Sequence, residues 1–249
     1  MKLEFLSFDF DRSASPISWS KKFAQEMQNL KDKKGFDYLV TIVGEDFGAE
    51  EGLGCVYILE NTNTHERYSV KMIAKTQVCG DGLASNGTGE TDGQSIPYIP
   101  TVSNIWRVAD LLEREVYDFY GIVFLGHPDM RRLFLRSDFK GYPFRKDWKF
   151  NDEYTLEDDV EPDYGLEYYL DKNGVLQSKQ NKLFGPDDYV INIGPQHPAT
   201  HGVLRLQTVL NGETVKRIYP HLGYIHRAIE KMWEGMTYPQ TLALTDRLN

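Results

Sequence analysis

The chain has 249 residues, a formal net charge of −9, and a composition that is 41% hydrophobic and 26% charged. These values are typical of a globular protein of one or two domains, and the acidic balance argues against nucleic acid binding and against a polybasic membrane anchor. No stretch approaches ~18 uncharged apolar residues, so the sequence predicts no transmembrane helix.

The N-terminal elements indicate a mixed α/β domain. Apolar side chains recur at a spacing of about 3.6 over residues 17–32, which predicts a helix capped by Ser15 or Ser18. Runs rich in β-branched residues follow at 38–43, 54–59 and 67–73. They predict a three-stranded meander that packs against the helix.

A polar stretch at 79–95 contains five glycines. A phosphate-binding loop would need a Gly-Lys-Ser/Thr ending at a strand-to-helix junction, and neither follows here. We interpret the stretch as a mobile surface loop, and its role stays open.

A second helix is predicted over 105–120 by its apolar face. Its capping candidates are Ser103, Asn104 and, after the last turn, Gly121. Glu113 and Glu115 point about 200° apart on a helix, so they cannot act as an acid/base pair on one substrate. We interpret them as a solvated face or as a charged edge toward a partner.

The second half of the chain begins with an acidic segment, which predicts a linker over 149–184 that is pinned in places by aromatic residues. The section at 185–249 then opens with a strand and a polar loop. A hairpin follows, turning at Asn211-Gly212, and an apolar stripe over 222–233 predicts a helix. The predicted fold class is α+β, with a mixed α/β domain at 1–148, the linker, and this hairpin-plus-helix section.

The polar loop carries His197 and His201, four residues apart. On a helix the two imidazoles would share a face, but Pro198 and Gly202 favour a loop instead. A histidine at the end of such a loop, beside a sheet edge, can donate a hydrogen bond or a proton into a cavity.

Metal sites are not favoured by this sequence. The histidines at 197, 201, 221 and 226 lack the cysteines and short spacings of structural zinc sites, so we predict no metal centre. The histidines at 221 and 226 lie near a helix start, where a hydrogen-bonded or capping role is the simpler interpretation. Cys55 and Cys79 are two distant thiols and cannot supply the four ligands of an iron–sulfur cluster.

Long motifs of this chain resemble two families of respiratory subunits. The segments similar to the D subunit of NADH–quinone oxidoreductase (complex I) are 193–205, 221–232, 237–240 and 245–249. The segments similar to the C subunit of the same enzyme are 113–122, 127–133 and 141–148. Together they resemble the fused C/D subunit of some bacteria, and we expect the chain to be truncated within the D portion.

The resemblance implies a role for each motif. In the D subunit family the second histidine of the loop lies by the quinone headgroup, which maps onto His201 as a hydrogen-bond donor. Proton donation to the quinone carbonyl is a further role that the resemblance leaves open. His197 is assigned to the same quinone site, and His226 and Arg227 receive a supporting role. The residues predicted to dock neighbouring subunits are Arg131, Arg132, Glu113 and Glu115.

The resemblance also implies the surroundings of the chain. Its partners would be the iron–sulfur subunits of the peripheral arm and the membrane-arm subunits, on the cytoplasmic side of the inner (plasma) membrane. FMN and the iron–sulfur clusters would lie on those partners, quinone would be the substrate, and this chain would bind no cofactor and be inactive alone.

Three other interpretations stay open or are excluded. A non-catalytic scaffold of a related complex, fed by another electron donor, is the alternative. A zinc-dependent hydrolase is more distant. A nickel–iron hydrogenase site is excluded in this chain, because such sites use cysteines and none follows Cys79.

Overall fold

The computed structural model describes residues 4–7, 15–48, 50–77, 95–137, 139–149, 164–186, 188–196, 198 and 203–245. Most of the glycine-rich stretch, the beginning of the acidic segment, His197, His201 and the last four residues lie outside these ranges. The chain divides into two compact units, residues 1–185 and 186–249.

In its described residues the first unit combines two helices with two β-sheets. Its helices are α1 (Pro16–Asp32) and α2 (Ala109–Tyr120). Its strands are β1 (Glu4–Ser7), β2 (Tyr38–Asp46), β3 (Leu53–Glu60), β4 (Arg67–Ile73), β5 (Lys75–Gln77), β6 (Ile96–Pro100), β7 (Val123–Leu125), β8 (Tyr164–Leu170) and β9 (Leu176–Lys182). One sheet has the strand order β1-β4-β3-β2 and the other the order β5-β6-β7-β8-β9. Antiparallel pairing of β2, β3 and β4 confirms the predicted meander.

Helix α1 begins and ends where the sequence predicts. Ser15 is the N-cap, and its hydroxyl accepts a hydrogen bond from the Ser18 N–H at 3.3 Å. Pro16 occupies the first turn, where its missing N–H costs no helical hydrogen bond. Gly35, at φ +74, takes the left-handed conformation that follows the helix.

The apolar face of α1 joins both sheets in one core. Phe23 is 0% exposed, and its ring centroid lies 5.8 Å from that of Tyr57 on β3. The Trp19 ring meets Tyr98 on β6 edge to face at 5.9 Å. Burying one aromatic side chain of this size contributes about 1.5–3 kcal/mol, so this contact layer is a main source of stability.

Helix α2 is shorter than predicted. It begins at Ala109, because residues before it form tight turns in which the N–H groups of Ile105 and Trp106 both donate to the Val102 carbonyl. No side-chain hydrogen bond caps this helix, so the predicted caps are wrong. The predicted end is confirmed: Gly121, at φ +69, is left-handed and its N–H donates to the Tyr117 carbonyl at 2.8 Å.

The predicted linker is wrong for residues 164–182, which form a hairpin in the second sheet. Strand β8 pairs in parallel with β7 and antiparallel with β9, and Tyr168 and Leu176 are 0% exposed. The turn is held by Asp171 Oδ1, which accepts N–H bonds from Asn173 and Val175, both at 2.8 Å. The acidic residues that suggested a linker lie mostly before Tyr164, and β9 is almost entirely polar, so these strands lack a clear apolar alternation.

The second unit is built on a three-stranded sheet. Its strands are β10 (Tyr189–Ile193), β11 (Arg205–Asn211) and β12 (Thr214–His221), in antiparallel order β10-β11-β12. The predicted Asn211-Gly212 turn is confirmed, since Asn211 pairs with Thr214 and Gly212 adopts φ +58. On one sheet face Ile191 and Ile218 flank Thr208, and these two isoleucines are 45% and 52% exposed.

The predicted helix over 222–233 is present only at its end. Helix α3 covers Ile229–Trp233, and α4 covers Tyr238–Thr245. Ala228 adopts the left-handed φ of +48, which stops a helix from extending back through it. Neither α3 nor α4 has a buried residue, and Tyr238 is 92% exposed.

Candidate functional site

The two ends of the predicted histidine loop are held together at one end of the second unit's sheet. Strands β10 and β11 are antiparallel neighbours, so the chain leaves and re-enters the sheet at the same end. Gly194, at φ +92, approaches so closely that an added Cβ would overlap the Leu204 carbonyl oxygen. His197 and His201 lie outside the described residues, and their quinone contact stays a prediction.

Arg205 stands at the base of this loop, and no motif in the sequence had given it a role of its own. Its Nε and Nη2 donate to Asn192 Oδ1 at 3.3 and 3.1 Å across the strands. Its register partner on β12 is His221, so these side chains leave the same face of the sheet. The sequence signal that could have identified Arg205 was its position. It is the first residue of the strand that follows the loop, so its positive charge lies close to the loop.

His226 and Arg227 lie in the turn between β12 and α3. The His226 N–H donates to the Gly223 carbonyl at 3.1 Å, and its Nδ1 accepts from the Ala228 N–H at 3.4 Å. Because Nδ1 accepts, the ring proton is assigned to Nε2, which makes this imidazole a donor at Nε2. Arg227 is exposed. The supporting role of both residues stays a prediction.

Glu113, predicted to face solvent or a partner, is instead buried in the first unit. It is 0% exposed, and its carboxylate accepts from Thr101 Oγ1 at 2.6 Å and from the Val102 N–H at 2.7 Å. The prediction that it docks a partner is therefore wrong. This carboxylate fastens the turn before α2, in place of the missing N-cap side chain.

Burial raises the pKa of Glu113 to about 7, while an electrostatic interaction with His127 and the hydrogen bonds from Thr101 and Val102 act in the opposite direction. His127 is itself fully buried; its Nδ1 accepts from the Asp129 N–H at 3.1 Å, and its Nε2 lies 3.1 Å from Asp110 Oδ1. Thr101 Oγ1 also lies 2.8 Å from the hydroxyl of Ser103, which is half-buried. A row of hydrogen-bonded hydroxyl groups therefore runs from Glu113 toward the surface.

Arg132, another predicted docking residue, forms a buried ion pair with Asp118. Nη1 of Arg132 donates to Asp118 Oδ1 at 2.9 Å, and the two side chains are 6% and 0% exposed. Burial lowers the pKa of Arg132, but the charge and hydrogen bond of Asp118, together with Tyr117 and Tyr142, more than offset it, and the net shift is upward. Docking through Arg132 is therefore wrong, because its guanidinium lies inside the unit.

Asp118 organises a segment that has no regular secondary structure. Its Oδ2 accepts three successive backbone N–H bonds, from Leu133 at 3.1 Å, Phe134 at 2.7 Å and Leu135 at 2.9 Å. On the same segment Arg132 Nη2 donates to the carbonyls of residues 139 and 141. Charged side chains thus replace the backbone ladder that a strand or helix would supply.

Arg131 and Glu115 are the predicted docking residues that retain some exposure. Arg131 makes a two-pronged pair with Asp129, with Nη2 2.9 Å from Oδ2 and Nε 3.0 Å from Oδ1, and its side chain is 11% exposed. Glu115 is half-buried on α2. Docking through these two residues stays a prediction.

Within the described ranges no group of three or more His, Cys, Asp or Glu side chains is arranged to hold a metal ion. Cys55 is buried, and burial raises the pKa of its thiol well above its ordinary value. Nor does any helix in that part of the chain have the length and apolarity needed to cross a membrane. The charged centre around α2 forms hydrogen bonds with its own backbone, and the first unit has an α+β fold.

Residues 19–154 match the family model described as respiratory-chain NADH dehydrogenase, 30 Kd subunit. The match covers more than half of the chain, and the chain belongs to this family. A chain of the membrane-bound sulfane sulfur reductase, an archaeal respiratory membrane complex, aligns with 57% of this chain at 22% identity and a TM-score of 0.41, covering 81% of that chain.

Curated relatives extend the match beyond the family model. The fused C/D subunit of NADH-quinone oxidoreductase from Bacteroides fragilis is 46% identical over 235 residues, or 90% of this chain and 41% of the relative. Its counterpart in Phocaeicola vulgatus is 48% identical over 231 residues, or 92% and 41%. That of Bdellovibrio bacteriovorus is 35% identical over 221 residues, or 88% and 34%. The resemblance to a fused C/D subunit is confirmed, and the chain spans about two-fifths of the length of the first two relatives.

Proposed function

We propose that this chain is a peripheral-arm subunit of a proton-pumping NADH:quinone oxidoreductase. Its first unit docks iron–sulfur subunits, and its second unit brings His201 to the quinone headgroup. FMN and the iron–sulfur clusters belong to partner subunits, membrane-arm subunits lie against the assembly, and the chain sits peripherally on the cytoplasmic side of the membrane.

The observation that best supports the quinone role is that the two ends of the histidine loop meet at Gly194 and Leu204, which we call the closed base of the loop. Gly194 packs against the Leu204 carbonyl, so the segment that bears His197 and His201 starts and ends at one fixed point of a sheet. A ligand-binding loop needs such a rigid base, because a small displacement of a donor costs much of its effect. The resemblance of this segment to the D subunit motif then assigns the donor role to His201.

Quinone reduction consumes two electrons and two protons and gives a quinol. The electrons arrive from partner subunits, while His201 donates a hydrogen bond, and then a proton, to one carbonyl oxygen of the quinone and is reprotonated from solvent. The second proton reaches the other carbonyl oxygen from solvent. His197 contacts the same headgroup. Arg205, at the base of the loop, adds a positive charge that favours the negative charge developing on the quinone oxygen. His226 and Arg227 support the site from the turn before α3.

Exposed apolar side chains of the second unit support the proposal that it lies within a larger assembly. Ile191, Ile218, Tyr238 and Leu242 are between 45% and 92% exposed. Apolar exposure on this scale is typical of surfaces that other chains cover. A scaffold fed by another donor is not favoured, since the Bacteroides and Phocaeicola relatives are NADH-quinone oxidoreductase subunits.

The test is His201→Ala in the full-length protein within its membrane complex. We expect NADH:quinone reductase activity to fall about 100-fold, as is typical for loss of a general acid. Electron transfer from NADH to an artificial acceptor that draws electrons upstream of the quinone should stay unchanged. His65→Ala is the matched control, because this histidine lies on the β3–β4 turn with its side chain 80% exposed. A quinone reductase rate equal to that of the control would refute the assignment.

A further inference from the structure

A basic surface follows the buried charge centre of the first unit. Residues 131–149 have seven arginines and lysines and two aspartates, and two of the arginines, Arg131 and Arg132, are paired with Asp129 and Asp118 outside this range. Three lysines of this segment are exposed, Lys140, Lys146 and Lys149, and their ammonium groups outnumber the one exposed carboxylate among its described residues, Asp147. We call these three residues the lysine patch.

Three arginines of the segment form contacts within the first unit. Arg132 lies in the buried pair with Asp118, and Arg131 pairs with Asp129. Arg145 Nε donates to the Tyr120 carbonyl at 2.6 Å, and its guanidinium lies over the Tyr142 ring at 4.5 Å. These arginines therefore build the framework, and the lysines carry the positive charge on its outer side.

Ring stacking holds the part of the segment that carries the lysines. The Phe139 and Trp148 rings are stacked with centroids 6.2 Å apart. Gly141 lies close against the same indole, since a Cβ added at this glycine would be 2.9 Å from the Trp148 indole nitrogen. Lys140 and Lys149 are the chain neighbours of the two stacked residues, so their backbones flank the same ring pair. The Lys146 N–H donates to Asp46 Oδ2 at 2.8 Å, which fixes this part of the segment to the end of β2.

We propose that the lysine patch is an electrostatic docking surface for an acidic surface on a partner protein of the same complex. This inference rests on the proposed function. Ammonium groups that lie within about one Debye length of each other, ~8 Å at physiological salt, act as one positive field. Such a field speeds association and fixes orientation more than it adds affinity.

The rigid framework favours a protein partner over an anionic membrane. Attraction to lipid headgroups depends on the number of basic residues near the surface and needs no fixed geometry. Here three backbone N–H bonds to Asp118, the Arg132 bonds to two carbonyls and an aromatic stack fix the backbone that carries the lysines. A fixed spacing of charges is useful where the opposite charges are also fixed, as on a folded protein.

The test reverses the charge of the patch in the full-length protein. Lys140→Glu, Lys146→Glu and Lys149→Glu are combined, the chain carries a peptide tag for quantification only, and the membrane complex is captured through a different subunit. The control combines Lys21→Glu, Lys33→Glu and Lys172→Glu, which change the net charge equally at exposed positions elsewhere in the first unit. Retention of the tagged chain is measured by quantitative mass spectrometry after washes from about 0.05 to about 0.5 M NaCl. Circular dichroism melting confirms that all variants fold.

We expect the patch variant to release half of the tagged chain at a salt concentration about threefold lower than wild type and control do. Equal release of the patch and control variants would overturn the inference and leave the proposed function standing. Absence of the wild-type chain from the isolated complex would overturn the proposed function together with this inference.

Two further experiments test other occupants of the lysine patch. Neutralising Glu157, Asp158 and Asp159 to Gln and Asn tests the acidic segment of the same chain, and a release profile equal to that of the patch variant would overturn the partner assignment. Vesicles with ~30% phosphatidylglycerol test the membrane. Vesicle binding that depends on the three lysines, with complex retention unchanged, would overturn it as well.

Discussion

Replacing Asp118 by asparagine tests whether the buried charge centre holds the first unit together. The carboxylate accepts three backbone N–H bonds through Oδ2 and an arginine N–H bond through Oδ1. An asparagine side chain keeps the shape, but its NH2 group must face donors in either orientation. The change also leaves the Arg132 guanidinium buried without its counter-charge.

The expected cost follows from these contacts. Removing one partner of a buried ion pair typically destabilises a protein by about 3–5 kcal/mol, because a charge stays buried and uncompensated. Both side chains are almost completely buried here, so solvent screening reduces the effect little. The loss is large beside a total stability of about 5–15 kcal/mol for a domain.

The assay is equilibrium urea unfolding of the full chain, which measures the loss in free energy of unfolding. Hydrogen exchange at the amides of residues 133–135 then shows whether that loss arises in the first unit. Asp171→Asn is the matched control: this carboxylate also accepts two backbone N–H bonds, but in a surface turn where asparagine is favoured. We expect it to cost less than about 1 kcal/mol. A loss below about 1 kcal/mol for Asp118→Asn, or unchanged exchange at these amides, would refute the structural role of the ion pair.

The remaining predictions concern a pH dependence and a glycine. Because burial raises the pKa of Glu113 to about 7, the folded state holds this proton more tightly than the unfolded state does. Its contribution to the free energy of unfolding should therefore fall by about 3 kcal/mol as pH rises from the ordinary carboxyl pKa through about 7. Glu113→Gln, which resembles the protonated acid, should abolish this dependence in urea titrations at pH 5 and 8, and an unchanged slope would contradict it. Gly194→Ala should lose hydrogen-exchange protection at Ile193, because the added Cβ overlaps the Leu204 carbonyl. Gly212→Ala is the control, with a similarly positive φ of +58 and open space around it, and should leave Ile193 protected; equal behaviour of the two variants would remove the argument for a closed loop base.

Local sequence signals predicted the elements whose causes are local. The cap, the apolar spacing and the final glycine of α1 all lie within a few residues of the helix, and its bounds were predicted almost to the residue. The Asn211-Gly212 turn fixed the hairpin of the second unit in the same way. The resemblance of long motifs to a fused C/D subunit also came from the sequence alone, and the comparisons confirm it.

Tertiary structure decided the environment of each charged residue. Nothing in the spacing of Glu113 and Glu115 shows that one is fully buried and the other is not, because this depends on the turn at Thr101 and on the sheet behind it. The hairpin at 164–182 is likewise stabilised by pairing with β7, some 40 residues earlier in the chain. The sequence by itself therefore determined the family and the elements whose signals are local, such as α1 and the Asn211-Gly212 turn. The partners of Asp118 and Glu113 lie between 11 and 17 residues away, beyond the range of helix and turn motifs, and only the folded structure brings them together.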